Sequence, residues 1–277
     1  VLIDCQTSRA KINSNYPQTD VTIAFAKTAL AWPDNRDEVY AIVGEIIERT
    51  TAVDGTSGEK GLPGYSAMAV RGLADLLATY ARIEDRFLSD MFEKAPRLHD
   101  AFRFHMDAWC YQRYYPSSGD AGAYCAANEK LVSVGLPGKA SMSPSMYQFL
   151  WQLYERTQDV RFVQALYHGN GHQVDGLPYD LFAESPDGFQ KQVGAVIERA
   201  GTRIDLPSSN KQQWCLALLR AGKGDQERML WLDYDSGGQH SHADGMNLGL
   251  FARGLDLMPD FGYPPVQYGG WGAPRAQ

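Results

Sequence analysis

The sequence predicts an α+β protein, in which a helical N-terminal part is followed by a smaller antiparallel β part. Apolar residues recur at helical spacing over roughly the first 205 residues, and this period changes near Leu206-Pro207-Ser208-Ser209. Beyond that point, short β-type runs alternate with Gly-rich turns. We therefore expect residues 1–205 to form one helical domain and residues 206–277 to form one antiparallel β domain.

The helical part contains a series of periodic segments joined by short loops, which indicates stacked antiparallel hairpins. The first segment begins at Asp20, an acidic residue suited to capping a helix N-terminus. We expect a helix to end near His168 and His172, because the two glycines between them disfavour a continuous helix. The two histidines are therefore not expected to form a metal-binding pair within one helix. The predicted helices are 20–31, 37–49, 65–79, 82–94, 98–111, 146–157, 160–168 and 189–200.

Strands are predicted at 213–220, 228–234, 246–253 and 255–258, with a turn at 222–225. So few strands would leave one face of a β-sandwich open and its edges unpaired. We therefore expect either the remainder of the same protein, beyond residue 277, or a second chain to complete the sheet. A homo-oligomer is one assembly that would supply such a chain.

The amino-acid composition argues against some classes of binding partner. The chain has 277 residues, of which 44% are hydrophobic and 21% charged, as in globular proteins. Its net charge is −7, which argues against binding to nucleic acid or to an anionic membrane. No apolar run approaches the roughly 18 residues of a membrane span. The 15 tyrosines and 6 tryptophans suit a carbohydrate cleft, and they equally suit a large core.

The segment Gly237-Gly238-Gln239-His240-Ser241-His242-Ala243-Asp244, followed by Asp260, has the residue types of a zinc site. On a strand the two histidines would face the same side, whereas on a Gly-rich loop they can divide between a metal and a substrate. His242 and Asp260 are the expected metal ligands, and a third ligand is still needed. The other interpretation is a polar loop that caps strands.

Three further loops are candidates for a cleft. Residues 54–65 form a long Gly-rich loop that opens onto a helix, and Tyr65 at its end either packs in the core or faces a substrate. Residues 13–18 form a polar loop that precedes a helix. Residues 113–120 combine Arg, Tyr and a Gly-Asp turn, which suits sugar stacking and carboxylate binding but also suits an ordinary surface loop.

With these motifs in place, the chain resembles the heparinase II/III-like polysaccharide lyases. The resemblance is specific in the HxHxD segment that leads to Asp260-Phe261-Gly262, and it is weaker in the helices. The loop from Asp54 through Glu59 to Tyr65 is similar to the family's DGSxxE…Y loop, and Gly119-Asp120 is similar to another loop of its helical part. The resemblance implies an incomplete (α/α) toroid followed by the start of an antiparallel β-sandwich.

The resemblance also implies roles for individual residues. Tyr65 is the expected catalytic tyrosine, Asn15 helps to neutralise a uronate carboxylate, and His240 contacts the substrate near the scissile bond. Zn²⁺ is structural and bound by His242 and Asp260, with its third ligand on a family strand expected beyond residue 277. The residues expected to bind the substrate are Gln18, Arg113, Tyr115, Glu59 and Gln239.

The activity expected from the resemblance is β-elimination on a uronic-acid polysaccharide, such as alginate. Many members of the family carry a histidine near the asparagine of the toroid, but here the loop offers Gln18 instead, which favours Tyr65 as both base and acid. The expected partner is an anionic polysaccharide or oligosaccharide, and the expected location is periplasmic or secreted. The alternatives are a zinc-dependent glycan hydrolase and a non-catalytic glycan-binding protein on the same scaffold.

Overall fold

Eight α-helices precede a five-stranded antiparallel sheet in the part of the chain that the computed structural model describes, residues 17–119, 144–179, 184–234 and 246–259. The predicted α+β class is therefore confirmed. The helices are α1 (Gln18–Ala31), α2 (Arg36–Thr50), α3 (Tyr65–Ile83), α4 (Phe87–Lys94), α5 (Asp100–Asp107), α6 (Pro144–Thr157), α7 (Val160–Gly169) and α8 (Pro186–Ala200). The strands are β1 (Ser209–Lys211), β2 (Leu216–Ala221), β3 (Arg228–Asp233), β4 (Asn247–Ala252) and β5 (Leu255–Asp256).

Local sequence accounts for several helix starts. Ser185 caps α8 by accepting a hydrogen bond from the N–H of Gly188, and Pro186 occupies the first turn, where no amide donor is needed. Asp159 caps α7 by accepting from the N–H of Arg161. Helix α3 buries ten of its 19 residues, because small and apolar side chains recur along it at helical spacing.

The predicted helix at 98–111 was too long, since α5 ends at Asp107. Two causes are visible beyond that residue. Tyr111 and Gln112 adopt left-handed φ angles of 54° and 52°, which no α-helix can contain. The guanidinium of Arg220 donates to the carbonyl oxygens of Asp107 and Trp109, so a strand residue distant in sequence satisfies the end of the helix.

The sheet is a meander with the strand order β1-β2-β3-β4-β5. Four residues lie side by side across one of its ends, because the register pairs Lys211 with Leu216, Leu216 with Asp233, and Asp233 with Asn247. We call these four residues the junction end of the sheet. Strand β1 was not among the predicted strands.

One face of the sheet packs against the helices, and the buried side chains of both form one cluster. Trp231 dominates this face and lies directly over Gly249, its partner on β4. A Cβ atom on Gly249 would lie 2.1 Å from the indole, so only glycine fits there. Close contact between this tryptophan and the backbone of β4 therefore fixes the packing at the centre of the sheet.

The opposite face of the sheet is also apolar. Leu219, Leu230 and Leu250 form one row of directly paired residues across three strands. Ala217, Leu232 and Leu248 form the next row. Leu219 is 58% exposed and Leu248 is 38% exposed, so this leucine face is open to solvent within the described residues.

The change from helix to strand falls between Ala200 and Ser209, around the predicted boundary after residue 205. Whether the two parts are separate domains stays a prediction. Of the helices in the described part of the chain, none is long and apolar enough to cross a membrane.

Gly249→Ala should destabilise the protein by about 1–3 kcal/mol, because the added methyl group has no room beside Trp231. Gly44→Ala is the matched control. Gly44 lies within α2, and a Cβ atom there would meet nothing within 4 Å. That change should stabilise the protein by roughly 0.5–1 kcal/mol. Urea unfolding of both variants measures the difference, and equal midpoints would contradict the packing described for Trp231.

Candidate functional site

Trp214, just before β2, joins the sheet to the loop at residues 53–64. Its side chain is fully buried, and its Nε1–H donates to the carbonyl oxygen of Ser57 at 3.1 Å. Its backbone N–H donates to Oδ2 of Asp54 at 2.8 Å. The N–H of Asp54 in turn donates to Oε1 of Gln213 at 3.0 Å. These hydrogen bonds hold the loop against the start of β2.

Lys60 strengthens the same contact from within the loop. The residue is only 3% exposed, and its Nζ lies 4.0 Å from the centre of a Trp214 ring. The ammonium group also donates to the carbonyl oxygen of Trp214. A cation held over an aromatic face away from water contributes on the order of 2 kcal/mol. The loop is therefore fixed by a buried charge as well as by backbone hydrogen bonds.

Two glycines allow the backbone of this loop to take the conformation that it has. Gly55 has a φ angle of 90°, and a Cβ atom there would lie 2.7 Å from Cβ of Asp100. Both its left-handed conformation and its close approach to α5 require glycine. Gly61, also at 90°, accepts at its carbonyl oxygen from the N–H groups of Gly64 and Ser66. The Gly-rich composition thus builds an ordered loop that ends at Tyr65.

A second segment, residues 114–118, lies against both the loop and the sheet. The N–H of Leu62 donates to the carbonyl oxygen of Ser118 at 3.1 Å. The hydroxyl of Ser118 donates to the carboxylate of Asp233, at the junction end of the sheet. Two loops of the helical layer and one end of the sheet therefore meet at one place.

Glu59 and Tyr65, both predicted to act on substrate, lie within the loop held by Trp214 and at the helix start that follows it. Tyr65 is the first residue of α3 and is half-buried, and Glu59 is also half-buried. Beside Tyr65, the hydroxyl of Ser66 lies 3.2 Å from Nε2 of His105 on α5. The two predicted residues are thus only partly exposed, and their roles in catalysis and substrate binding stay predictions.

The other described candidates occupy different environments. Gln18 is exposed at the start of α1, where the preceding Pro17 packs against Gly72 of α3. Arg113 is exposed, and its guanidinium lies 4.9 Å from the centre of the Tyr114 ring. Tyr115 is 1% exposed and stacks on Trp109, so its ring belongs to the core. Their roles in substrate binding stay predictions.

Asn15, Gln239, His240, His242 and Asp260 lie outside the described residues. The strands on either side of the histidines are described, however. The strand before them ends at Asp233, and the strand after them begins at Asn247. These two residues are paired at the junction end, so the connecting segment leaves the sheet and returns to it there.

The described part of the chain contains no group of three or more His, Cys, Asp or Glu side chains that could hold a metal ion. The zinc site predicted at His242 and Asp260 is therefore neither supported nor weakened by the described residues.

A polar cleft of about 660 Å³ lies at another place, between α5, α7 and α8. Its arginines are already paired with carboxylates. Arg103 and Arg161 share Asp159, and Arg203 contacts Asp205. Of the predicted site residues that the structure describes, none lines this cleft.

Sequence reasoning missed the importance of Trp214, Lys60 and His105. Trp214 and Lys60 are 154 positions apart, and nothing in either local pattern predicts their contact. Burial lowers the pKa of His105 to about 3, helped by the positive charge of Lys211. The imidazole beside Ser66 is therefore neutral at physiological pH.

Comparisons with known proteins identify no family for this chain. No protein-family model matches this chain, and no curated protein matches it. The resemblance to heparinase II/III-like lyases therefore rests on the sequence motifs and stays a prediction.

Trp214→Phe should cost about 1–3 kcal/mol more than Trp231→Phe, because it leaves the carbonyl oxygen of Ser57 without its donor. Both tryptophans are buried, and among the described residues the Nε1–H of Trp231 has no hydrogen-bond partner. Hydrogen exchange should accelerate at residues 53–64 in the Trp214 variant alone. Equal exchange in both variants would show that Trp214 does not hold the loop.

Stability should fall as the pH decreases from 7 to 5, because His105 stays neutral in the folded state with a pKa of about 3, whereas an unfolded histidine gains a proton near pH 6.5. The unfolded state then binds more protons, at a cost of up to about 1.4 kcal/mol per pH unit for this residue. Urea unfolding across this range should show a weaker dependence in His105→Gln. An unchanged slope would contradict the assignment.

Proposed function

We propose that the protein is a polysaccharide lyase that cleaves a uronic-acid-containing polysaccharide by β-elimination. The observation that carries this proposal is the meeting of three elements at the junction end of the sheet. The loop that ends at Tyr65 is held there by Trp214, and residues 114–118 reach it through Ser118. Arg113 lies farther away, beside Tyr111 and Tyr114, whose hydroxyls donate to the carbonyl oxygens of Glu227 and Gly254 at the opposite end of the strands. The connection that bears His240 starts and ends at the same place. The loop that ends at Tyr65 and both ends of the connection that bears His240 are thus attached at one end of the sheet, as a shared site would require.

The finer architecture is part of the same proposal. The helices would belong to an (α/α) toroid, and the sheet would be one half of a β-sandwich. The leucine face supports the second statement, because two rows of paired apolar side chains on the outer face need a covering layer. That layer would come from the remainder of the same protein or from a second chain.

In the proposed reaction, the proton at C5 of a uronate is removed and the bond between C4 and its leaving oxygen breaks. Negative charge builds on the carboxylate as the proton leaves, and hydrogen bonds from Asn15 and His240, with Gln18 or Arg113, would stabilise it. Tyr65 would take the proton as a phenolate and return a proton to the leaving oxygen. Zn²⁺ bound by His242, Asp260 and a third ligand would hold the segment that presents His240. The product carries a double bond between C4 and C5.

The expected partner is an anionic polysaccharide or oligosaccharide, and the proposed location is periplasmic or secreted, where such polymers occur. The acidic net charge of −7 makes a local cationic cleft necessary to hold such a substrate. Arg113 is the described candidate for that contact, being exposed next to the buried segment 114–118.

Incubation with alginate, heparan sulfate or hyaluronan should produce an ultraviolet absorbance from the new double bond on at least one polymer. Tyr65→Phe should abolish this absorbance, because it removes the proton-transferring hydroxyl, while leaving the melting temperature within a few degrees of the wild type. Tyr179→Phe is the matched control. Tyr179 is 45% exposed and lies in none of the segments at the junction end, so this variant should keep full activity.

Three outcomes would overturn parts of the proposal. New reducing ends without absorbance would indicate the zinc-dependent hydrolase, and tight binding without turnover would indicate a glycan-binding protein. An active Tyr65→Phe variant would remove Tyr65 from the proton transfer but leave the lyase activity standing.

A further inference from the structure

The turn that follows α7 brings two histidine side chains together. His168 lies in the last turn of α7, and the chain then reverses through Gly171 and His172, whose φ angles are 72° and 63°. The N–H of His172 donates to the carbonyl oxygen of Tyr167 at 3.0 Å, which holds the reversal. As a result, the Nδ1 atoms of His168 and His172 lie 3.0 Å apart.

Hydrogen bonding determines which nitrogen of His168 carries a proton. Its Nε2 lies 2.7 Å from the carbonyl oxygen of Thr202 and 3.1 Å from Oε1 of Gln112. A carbonyl oxygen can only accept, so Nε2 carries the proton and Nδ1 presents its lone pair to His172. Histidines that bind metals donate their second N–H to a carbonyl or carboxylate in the same way.

The environment also keeps His168 in place and uncharged. Its ring packs edge-on against Trp109, with 5.2 Å between the ring centres. Burial lowers the pKa of His168 to about 4, with a smaller lowering from His172. The imidazole is therefore neutral at pH 7, which is the form that binds a metal. His172 is exposed, so an ion can reach the pair from solution.

We propose that His168 and His172 form a two-histidine site for a divalent transition-metal ion, with Cu²⁺ preferred to Zn²⁺. Two nitrogens that are each about 2.0 Å from an ion lie about 2.9 Å apart at a right angle and about 3.3 Å apart at a tetrahedral angle. The observed 3.0 Å lies within this range, so one ion can reach both nitrogens, and imidazole sites generally bind Cu²⁺ more tightly than Zn²⁺. Water would fill the other positions, since no third ligating side chain joins the pair among the described residues.

Metal binding at this site leaves the proton count unchanged. Without metal, the Nδ1–H of His172 donates to Nδ1 of His168. When an ion binds both Nδ1 atoms, the proton on Nδ1 of His172 moves to its Nε2 through solvent. The site differs from the zinc site predicted at His242 and Asp260, and it does not depend on the proposed lyase activity.

The test is a Cu²⁺ titration of the 277-residue chain that carries His240→Gln and His242→Gln, so that the other closely spaced histidines cannot contribute. Electron paramagnetic resonance, with glycine as a competing chelator, should show one Cu²⁺ ion with splitting from two imidazole nitrogens. Adding His172→Gln should weaken binding at least about tenfold, since loss of even an outer-shell partner typically costs 10–100-fold. His172 is exposed, so this variant should fold normally.

His99→Gln in the same background is the matched control, since it removes a half-buried histidine elsewhere and should leave the affinity for Cu²⁺ unchanged. Cu²⁺ should also raise the melting temperature of the background protein but not that of the His172→Gln protein. The proposal is wrong if the background chain binds no Cu²⁺, if only one nitrogen couples, or if His172→Gln changes the affinity less than twofold.

Discussion

The contact between Trp214 and residues 53–64 determines how the two layers of this protein are arranged. The ammonium of Lys60 lies over the face of the buried Trp214 indole, and the Nε1–H of that indole donates to the carbonyl oxygen of Ser57. The backbone N–H of Trp214 donates to the carboxylate of Asp54. Because Trp214 leads directly into β2, the position of the whole sheet relative to α3 depends on this contact. A buried ammonium is costly unless it is paired, so the arrangement permits little variation.

Other contacts across the same boundary depend on that arrangement. Lys211 on β1 pairs with Asp107, which also pairs with Arg103 on α5. Arg220 on β2 satisfies the carbonyl groups at the end of α5. Ser118 reaches the carboxylate of Asp233. The contacts of Lys211, Arg220 and Asp233 with the helical part join residues about a hundred positions apart, so they form only when the layers are already aligned.

The sequence predicted what depends on local pattern and missed what depends on distant partners. Helix α2 was predicted within a residue at each end, because its apolar spacing is regular. The end of α5 was misplaced because Arg220, far away in sequence, satisfies it. Strand β1 was missed because Ser-Asn-Lys has no apolar alternation and becomes a strand only by pairing with β2. Within the candidate site, the sequence drew attention to Tyr65 and the loop before it. The contact of that loop with Trp214 was not predictable, because the two lie far apart in the sequence.

Pairing of Asp233 with Asn247 separates the stability of the sheet from the length of the segment between them. Both ends of that segment are fixed by one antiparallel ladder, so the entropy of closing the loop is one term that an insertion or a deletion changes. That entropy grows slowly, by roughly 0.6 kcal/mol for each doubling of length. As far as chain entropy is concerned, the sheet therefore tolerates changes in the length of this connection at little cost to folding.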